Sequence, residues 1–117
     1  DIIASGDSIL DLAHNLKRRK AKRVFAGATF AFFTSGLEAF DKAYAEGVID
    51  HVFATNLTYT PKEVLERPWF SQADMSKYMA FVIATLNHDQ SLSYLLNPWN
   101  RIEKLLTKYR ADHPVED

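Results

Sequence analysis

The sequence predicts an α/β fold with a mostly parallel sheet flanked by helices, and two features of the 117 residues support this prediction. Short β-branched or aromatic runs alternate along the chain with segments whose apolar residues recur at helical spacing. The run from Arg23 to Phe33 begins almost continuously apolar, which is typical of a strand buried on both faces of a parallel sheet. Strands that alternate with helices favour parallel pairing through crossover connections.

The first predicted elements are a strand end and a helix. Ile2 and Ile3 are β-branched and are followed by a small, turn-prone segment at 4–8. Apolar residues then recur at helical intervals, with acidic side chains near the start and basic ones at the end, so we predict a helix from roughly Ser8 to Lys20. Because the chain has no initiator Met and starts within this strand end, we expect it to be a piece of a longer protein.

The remaining elements follow from the same patterns. Beyond the strand at 23–33, the spacing predicts a second helix that ends near Gly47, a short strand at 51–56, a loop with two prolines, a short strand at Trp69 and Phe70, a helix over 75–86 and a last helix after Pro98. We expect one domain over 1–110 and a frayed tail over 111–117. Phe32 and Phe33 cannot both face inward on one strand, and an exposed aromatic there suits an oligomer interface.

The composition excludes several classes of function. There are 14 Lys+Arg against 15 Asp+Glu, and this net charge of −1 counts against a dedicated nucleic-acid binder. The absence of cysteine removes disulfides, thiolate metal sites and Cys nucleophiles, and it agrees with a cytoplasmic location. No apolar run reaches the length of a membrane span, so we expect no membrane partner.

Two other patterns, a basic run and the four histidines, are not interpreted as binding sites. Six of the seven residues at 17–23 are basic, and we interpret them as the solvated end of a helix rather than a nucleic-acid or phosphate patch. The histidines do not have the paired spacing of metal ligands, so we expect no zinc site from His14, His51, His88 and His113.

The loop at 1–8 is the part of the sequence that suggests chemistry. In open parallel sheets, ligands bind beyond the carboxyl ends of the strands, where backbone N–H groups at a helix start attract anions. Ser5 and Ser8 add hydroxyl donors and Gly6 allows close approach, which suits a phosphomonoester, while Asp1 suits ribose hydroxyls or Mg²⁺. The alternative is a simple helix cap, which Asp7 favours because a carboxylate repels phosphate.

Residues 1–8 resemble the ribose-phosphate-binding loop of the phosphoribosyltransferase fold, and the chain is similar to the C-terminal domain of the ribose-phosphate pyrophosphokinase family. Further stretches occur in the family's order and extend the resemblance to about Tyr109: 28–30, 33–36, 55–56, 74–77 and 91–95. The resemblance implies a type I phosphoribosyltransferase-like fold. It also implies a role in nucleotide biosynthesis, in which pyrophosphate passes from ATP to ribose 5-phosphate and leaves AMP.

The resemblance assigns roles to individual residues. It implies that ribose 5-phosphate binds Asp1, Ser5, Gly6, Asp7 and Ser8, that Asp1 also binds Mg²⁺, and that Ser91, Leu92 and Ser93 help line a regulatory site. Two residues depart from the family's loop, since Ala4 replaces a common acidic residue and Asp7 stands where glycine is usual. They place the phosphate geometry and affinity in question.

The family also implies what lies outside this chain. The catalytic basic residues and most of the ATP site belong to the N-terminal domain, so we expect no catalytic residue here and no turnover by the chain alone. The intact protein is expected to be a homo-oligomer, a hexamer in the family. The main alternative is a non-catalytic regulatory or structural homologue. An ordinary phosphoribosyltransferase is disfavoured because the segments after Thr55 follow the synthetase order.

Overall fold

The computed structural model of the protein describes residues 1–113. The chain divides into two compact units, Asp1–Ser76 and Lys77–Asp117. Its elements run in the order β1 (Ile2–Ile3), α1 (Asp7–Arg18), β2 (Phe25–Ala28), β3 (Phe30–Ala31), α2 (Glu38–Ala45), β4 (His51–Thr55), α3 (Lys62–Leu65), β5 (Phe70–Ala73), α4 (Ser76–Asn87), α5 (Ser93–Leu96) and α6 (Trp99–Asp112). No helix within residues 1–113 is both long and apolar enough to cross a membrane.

The strand pairs of the first unit are parallel. Strand β1 pairs with β3, and β2, β4 and β5 form a second sheet in that order. The two sheets meet at Thr29, whose carbonyl oxygen accepts hydrogen bonds from the Thr55 backbone N–H at 3.3 Å and the Thr55 hydroxyl at 2.6 Å. The predicted α/β class, with parallel sheets flanked by helices, is confirmed.

The apolar run at 23–33 differs from its prediction. It forms two strands that break at Thr29, and its outer residues are not buried on both faces, since Phe25 remains 52 % exposed. Strand β2 lies at the edge of its sheet, and only the face that carries Ala26 and Ala28 packs on the core. The prediction of burial on both faces was therefore wrong for this strand.

A cluster of aromatic rings forms the centre of the core. Phe33 meets the rings of Phe40, Trp69 and Phe70 edge to face, with centroid distances of 5.0, 5.6 and 6.0 Å. Phe40 and Trp69 are fully buried and stack at 5.3 Å. Phe32 is 47 % exposed, so the two residues do not both face inward, but both lie just after β3 and the turn at Phe33, with a φ of +50°, separates them rather than strand alternation.

Two smaller differences concern helices. The loop predicted between the two prolines contains the short helix α3, which begins directly after Pro61. Helix α6 continues through Ala111 and Asp112, which were predicted to be part of the tail. The rest of that predicted tail, residues 114–117, lies outside the described residues, and the division of the chain at residue 110 stays a prediction.

Candidate functional site

The loop between β1 and α1 lies where the carboxyl end of a parallel strand runs into a helix. The ladder between β1 and β3 fixes its entry, since the Phe32 N–H donates to the Ile3 carbonyl at 2.8 Å. The Thr34 N–H then donates to the Ala4 carbonyl at 2.9 Å. The loop therefore starts from a backbone position that the sheet holds in place.

Gly6 makes the turn into the helix. Its φ is +94°, in the left-handed region that favours glycine, and its carbonyl accepts the first hydrogen bond of α1 from the Leu10 N–H at 3.0 Å. Gly6 is buried against the ring of Phe40, so a Cβ at position 6 would overlap the Cε2 and Cζ atoms of that ring. Both the conformation and the contact require glycine here.

A small cavity of about 130 Å³ lies against this turn and is lined by Ile2, Ile3, Ala4, Ser5, Gly6, Ser8 and Ile9. Ser8 and Ile9 precede the first helical hydrogen bond, so their N–H groups are among the donors that an α-helix leaves unpaired at its start. Such donors, together with the positive end of the helix dipole, form an anion-binding arrangement. The cavity therefore combines backbone donors with two serine hydroxyls.

Asp7 is exposed in the first turn of α1 and does not line this cavity. Its Oδ2 accepts a hydrogen bond from the Ser5 hydroxyl at 2.9 Å, and the Ser5 Oγ accepts the Asp7 N–H at 3.4 Å. The carboxylate is thus held beside the serine rather than inside the cavity. This contact also occupies the Ser5 hydroxyl proton.

Asp1 lies apart from the loop cavity. Its carbonyl oxygen accepts the N–H groups of Thr29 and Phe30 at 3.1 and 3.3 Å. Its side chain is exposed and lines a different groove of about 340 Å³ between α1 and β2. Of the five residues that the sequence predicted for ribose 5-phosphate, the structure brings Ser5, Gly6 and Ser8 together in one cavity, and Asp1 and Asp7 lie outside it.

A polar network joins the ends of β4 and β5. The Asn56 side-chain amide donates to the Asp74 Oδ1 at 2.8 Å and to the Ser76 Oγ at 3.0 Å, and its Oδ1 accepts the Met75 N–H at 2.8 Å. Hydrogen bonds from the Ser76 side chain and N–H, and then from Asn56, hold the pKa of Asp74 below its usual range. The sequence singled out these residues only through the resemblance, since Asn56 is the last residue of the strand predicted at 51–56 and Asp74 directly precedes the helix predicted over 75–86.

The basic run at 17–23 is partly anchored by an acidic residue. Asp50 accepts the Val24 N–H at 2.7 Å and lies 3.7 Å from both the Lys17 Nζ and the Arg23 Nε. The Val24 hydrogen bond and the two cations hold the pKa of Asp50 below its usual range. Helix α1 ends at Arg18, so only Lys17 and Arg18 of the run belong to the helix and the rest of the run follows its end.

The remaining candidates from the sequence are possible metal ligands and the predicted regulatory residues. Within residues 1–113, no three His, Cys, Asp or Glu side chains form a group that could hold a metal ion. Ser91 and Ser93 share a hydrogen bond of 2.7 Å between their hydroxyls, and Leu92 precedes α5, in the second unit. A regulatory role for these three residues stays a prediction.

Comparison with known proteins gives curated relatives, although no family model matches the chain. The chain is 35 % identical over 97 residues to ribose-phosphate pyrophosphokinase of Vibrio cholerae, a match that spans 83 % of this chain and 30 % of that protein. It is 32 % identical over 95 residues to human phosphoribosyl pyrophosphate synthase-associated protein 2, spanning 81 % and 25 %. The match falls in the C-terminal region of these relatives, and the chain spans less than a third of their length.

Proposed function

Because this chain is homologous to the C-terminal region of ribose-phosphate pyrophosphokinases and of a phosphoribosyl pyrophosphate synthase-associated protein, we propose that it binds ribose 5-phosphate. In this proposal the chain is the acceptor-binding part of a ribose-phosphate pyrophosphokinase. The 5-phosphate occupies the cavity at the start of α1, and the intact enzyme transfers pyrophosphate from ATP to the sugar.

One observation carries the proposal, namely the cavity formed by the β1–α1 loop. Its lining combines Gly6 in a left-handed conformation, N–H groups at the helix start and the hydroxyl-bearing residues Ser5 and Ser8. A phosphate group needs several donors and no buried carboxylate, and the Asp7 side chain lies outside the lining. This arrangement grips an anion without formal positive charge, which agrees with the net charge of −1.

Each loop residue has a distinct part in the proposal. The Ser8 hydroxyl and the N–H groups of Ser8 and Ile9 donate to the phosphate oxygens, as helix N-termini do for anions. Gly6 brings the backbone close to the ligand, and the Ser5 hydroxyl is a further donor when it leaves Asp7. Asp1 extends from the start of β1 and is suited to the ribose hydroxyls.

The proposal also includes Mg²⁺ and ATP, for which this chain would supply only part of the binding groups. Mg²⁺ in phosphoryl-transfer sites is commonly held by one or two carboxylates together with substrate oxygens, and the exposed Asp1 carboxylate is suited to supply one such ligand. The bound metal would neutralise charge on the transferring group. The other groups would come from an N-terminal domain, so we propose that this chain alone does not release AMP from ATP.

The alternative function is that of a non-catalytic regulatory or structural homologue of the synthetase. The similarity to the associated protein, 32 % against 35 % for the kinase, favours keeping this alternative. Asp7 also favours it, because its hydrogen bond with Ser5 removes one hydroxyl proton from the proposed phosphate site.

Calorimetric titration with ribose 5-phosphate tests the proposal. Wild-type chain is expected to bind ribose 5-phosphate and not ribose, because the phosphate supplies the contacts to the loop. Ser8→Ala is expected to weaken binding by about tenfold or more, the effect of losing one charge-assisted hydrogen bond. Ser35→Ala is the matched control, since Ser35 is exposed and does not line the cavity.

The outcomes separate the two functions. Binding that weakens in Ser8→Ala and persists in Ser35→Ala supports the acceptor site. An absence of binding by the wild-type chain at millimolar ligand contradicts the proposal and favours the non-catalytic homologue. AMP release at ordinary enzyme rates by this chain with ATP, Mg²⁺ and ribose 5-phosphate would refute the assignment of the catalytic groups to another domain.

A further inference from the structure

Helix α6 carries a continuous apolar stripe that the described residues leave open. None of its side chains is buried, and Trp99 and Leu105 are 72 % and 74 % exposed. The stripe consists of Trp99, Ile102, Leu105, Leu106 and Tyr109, and His113 follows it at the same spacing. Such a stripe on a helix of 14 residues is the face that an amphipathic helix buries against a partner.

The spacing of the stripe is that of a coiled-coil seam. Positions 99, 102, 106, 109 and 113 alternate steps of three and four residues, which is the a and d pattern of a heptad repeat. The opposite side of the helix is polar and carries Asn100, Lys104, Thr107 and Lys108, together with Ala111. The seam is therefore confined to one side of α6.

Two opposite charges border the seam on one side. Glu103 and Arg110 lie seven residues apart at equivalent heptad positions, directly after the seam residues Ile102 and Tyr109. Neither side chain takes part in an ion pair within residues 1–113. The charges along this border of one α6 are thus complementary to those of a second α6 that lies beside it in the reverse direction.

From this pattern we propose that α6 pairs antiparallel with α6 of a second copy of this chain. In an antiparallel pair, each residue that follows a d position faces its equivalent in the other helix, so Glu103 lies opposite Arg110 of the second copy, twice per dimer. In a parallel pair, Arg110 would instead face Leu105 of the other helix. The charges therefore select the antiparallel direction.

The same alignment builds the apolar seam. With Glu103 opposite Arg110 of the second copy, Leu106 packs against Tyr109 of the other helix and Ile102 packs against its His113. The two Leu106–Tyr109 layers, related by the twofold axis, then lie between the two charge pairs, and an Ile102–His113 layer lies just beyond each charge pair. This inference goes beyond the proposed ribose 5-phosphate site and does not depend on it, because no α6 residue belongs to the β1–α1 loop.

Sedimentation equilibrium of the full chain, between about 5 and 500 μM, tests the pairing over the range in which a contact of this size associates. We expect a reversible monomer–dimer equilibrium. Leu106→Asp places two carboxylates in the seam and is expected to leave only monomer. Ala111→Asp adds the same charge on the outer side of α6 and is the matched control, with dimerisation unchanged.

A charge exchange tests the direction of pairing without touching the seam. Glu103→Arg and Arg110→Glu are each expected to weaken self-association by about tenfold, since each replaces two attractive pairs with repulsive ones. An equimolar mixture of the two variants, and the double variant alone, are both expected to regain wild-type association. Circular dichroism checks that helix content is the same in all five variants.

Three results would overturn the proposal. The first is a wild-type chain that stays monomeric throughout the concentration range. The second is a dimer that survives Leu106→Asp, because its contact must then lie elsewhere. The third is an equimolar mixture that associates no better than either charge variant alone, which would exclude the antiparallel alignment.

Discussion

Replacement of Gly6 with alanine is expected to lower the free energy of unfolding of the first unit substantially, although it adds only a single methyl group. Gly6 has a φ of +94° and packs directly on the ring of Phe40. An alanine at this position would have to adopt a backbone conformation that L-residues disfavour. Its Cβ would also overlap a ring that cannot move easily. Phe40 is fully buried and is held between Phe33 and Trp69.

The magnitude follows from these two terms. A left-handed conformation costs an L-residue roughly 1–2 kcal/mol, and forcing an extra methyl into a packed core costs roughly 1–3 kcal/mol. Together they predict a loss of about 2–5 kcal/mol in the free energy of unfolding, against a total of about 5–15 kcal/mol for a typical domain. For a unit of this size, the midpoint of thermal unfolding is expected to fall by about 10 °C or more.

Two other glycines are controls for the separate terms. Gly47 has a φ of +68° but open space around its Cα, so Gly47→Ala measures the conformational term alone. Gly27 has neither a positive φ nor a close neighbour, so Gly27→Ala is expected to be neutral or stabilising by about 0.4–1 kcal/mol. The assay is urea unfolding followed by Trp fluorescence and circular dichroism.

The comparison with Gly47 decides whether the reasoning holds. If Gly6→Ala costs no more than Gly47→Ala, then the contact with Phe40 does not constrain the loop and the argument is wrong. Adding Phe40→Leu to Gly6→Ala provides a second check, because the smaller side chain relieves the overlap. The double variant is therefore expected to lose less stability than the sum of the two single variants.

Two further predictions concern the same unit. The Val24 N–H keeps the pKa of Asp50 below its ordinary value of 3.8, so its stabilising contribution is complete above that value and is lost as the pH falls through the lowered pKa. Urea unfolding over a pH series is therefore expected to show a shallower loss below about pH 4 in Asp50→Asn; an unchanged profile would exclude this role. Trp69→Phe removes the indole hydrogen bond to the Asp41 Oδ1 at 2.7 Å and leaves a cavity, so a loss of about 2–3 kcal/mol is expected. Asp41→Ala removes this bond together with the ion pair between the Asp41 Oδ1 and the Arg67 Nε at 3.1 Å, and Arg67→Ala removes the ion pair alone. The cost of Asp41→Ala beyond that of Arg67→Ala should be smaller than the cost of Trp69→Phe; equal values would contradict the cavity term.

Elements with strong local patterns could be predicted from the sequence. The helix predicted over 75–86 is observed over Ser76–Asn87, and the strand predicted at 51–56 is observed over His51–Thr55. In both segments the periodicity and the end signals lie within the segment itself. The β1–α1 loop could also be singled out from the sequence, because the residues that line its cavity all lie within positions 2–9.

Features that depend on distant partners could not be predicted in the same way. The run at 23–33 has the composition of a doubly buried strand, but β2 lies at the edge of its sheet, which only the strand order determines. The link between Asn56 and Asp74 joins residues 18 apart and arises from the parallel register of β4 and β5. Neither residue lies in a local sequence pattern that predicts its contact with the other.

The two unusual residues of the loop differ in how the fold constrains them. Ala4 lines the cavity, so the loss of an acidic side chain at that position removes negative charge from the place where we propose phosphate to bind. Asp7 adds a carboxylate, but it lies on the exposed side of α1 and is held by the Ser5 hydroxyl. The turn before it is made by Gly6, which packs on Phe40, and Asp7 does not line the cavity. Asp7 therefore affects the proposed site mainly through Ser5, whose hydroxyl must exchange the carboxylate for a phosphate oxygen when the ligand binds.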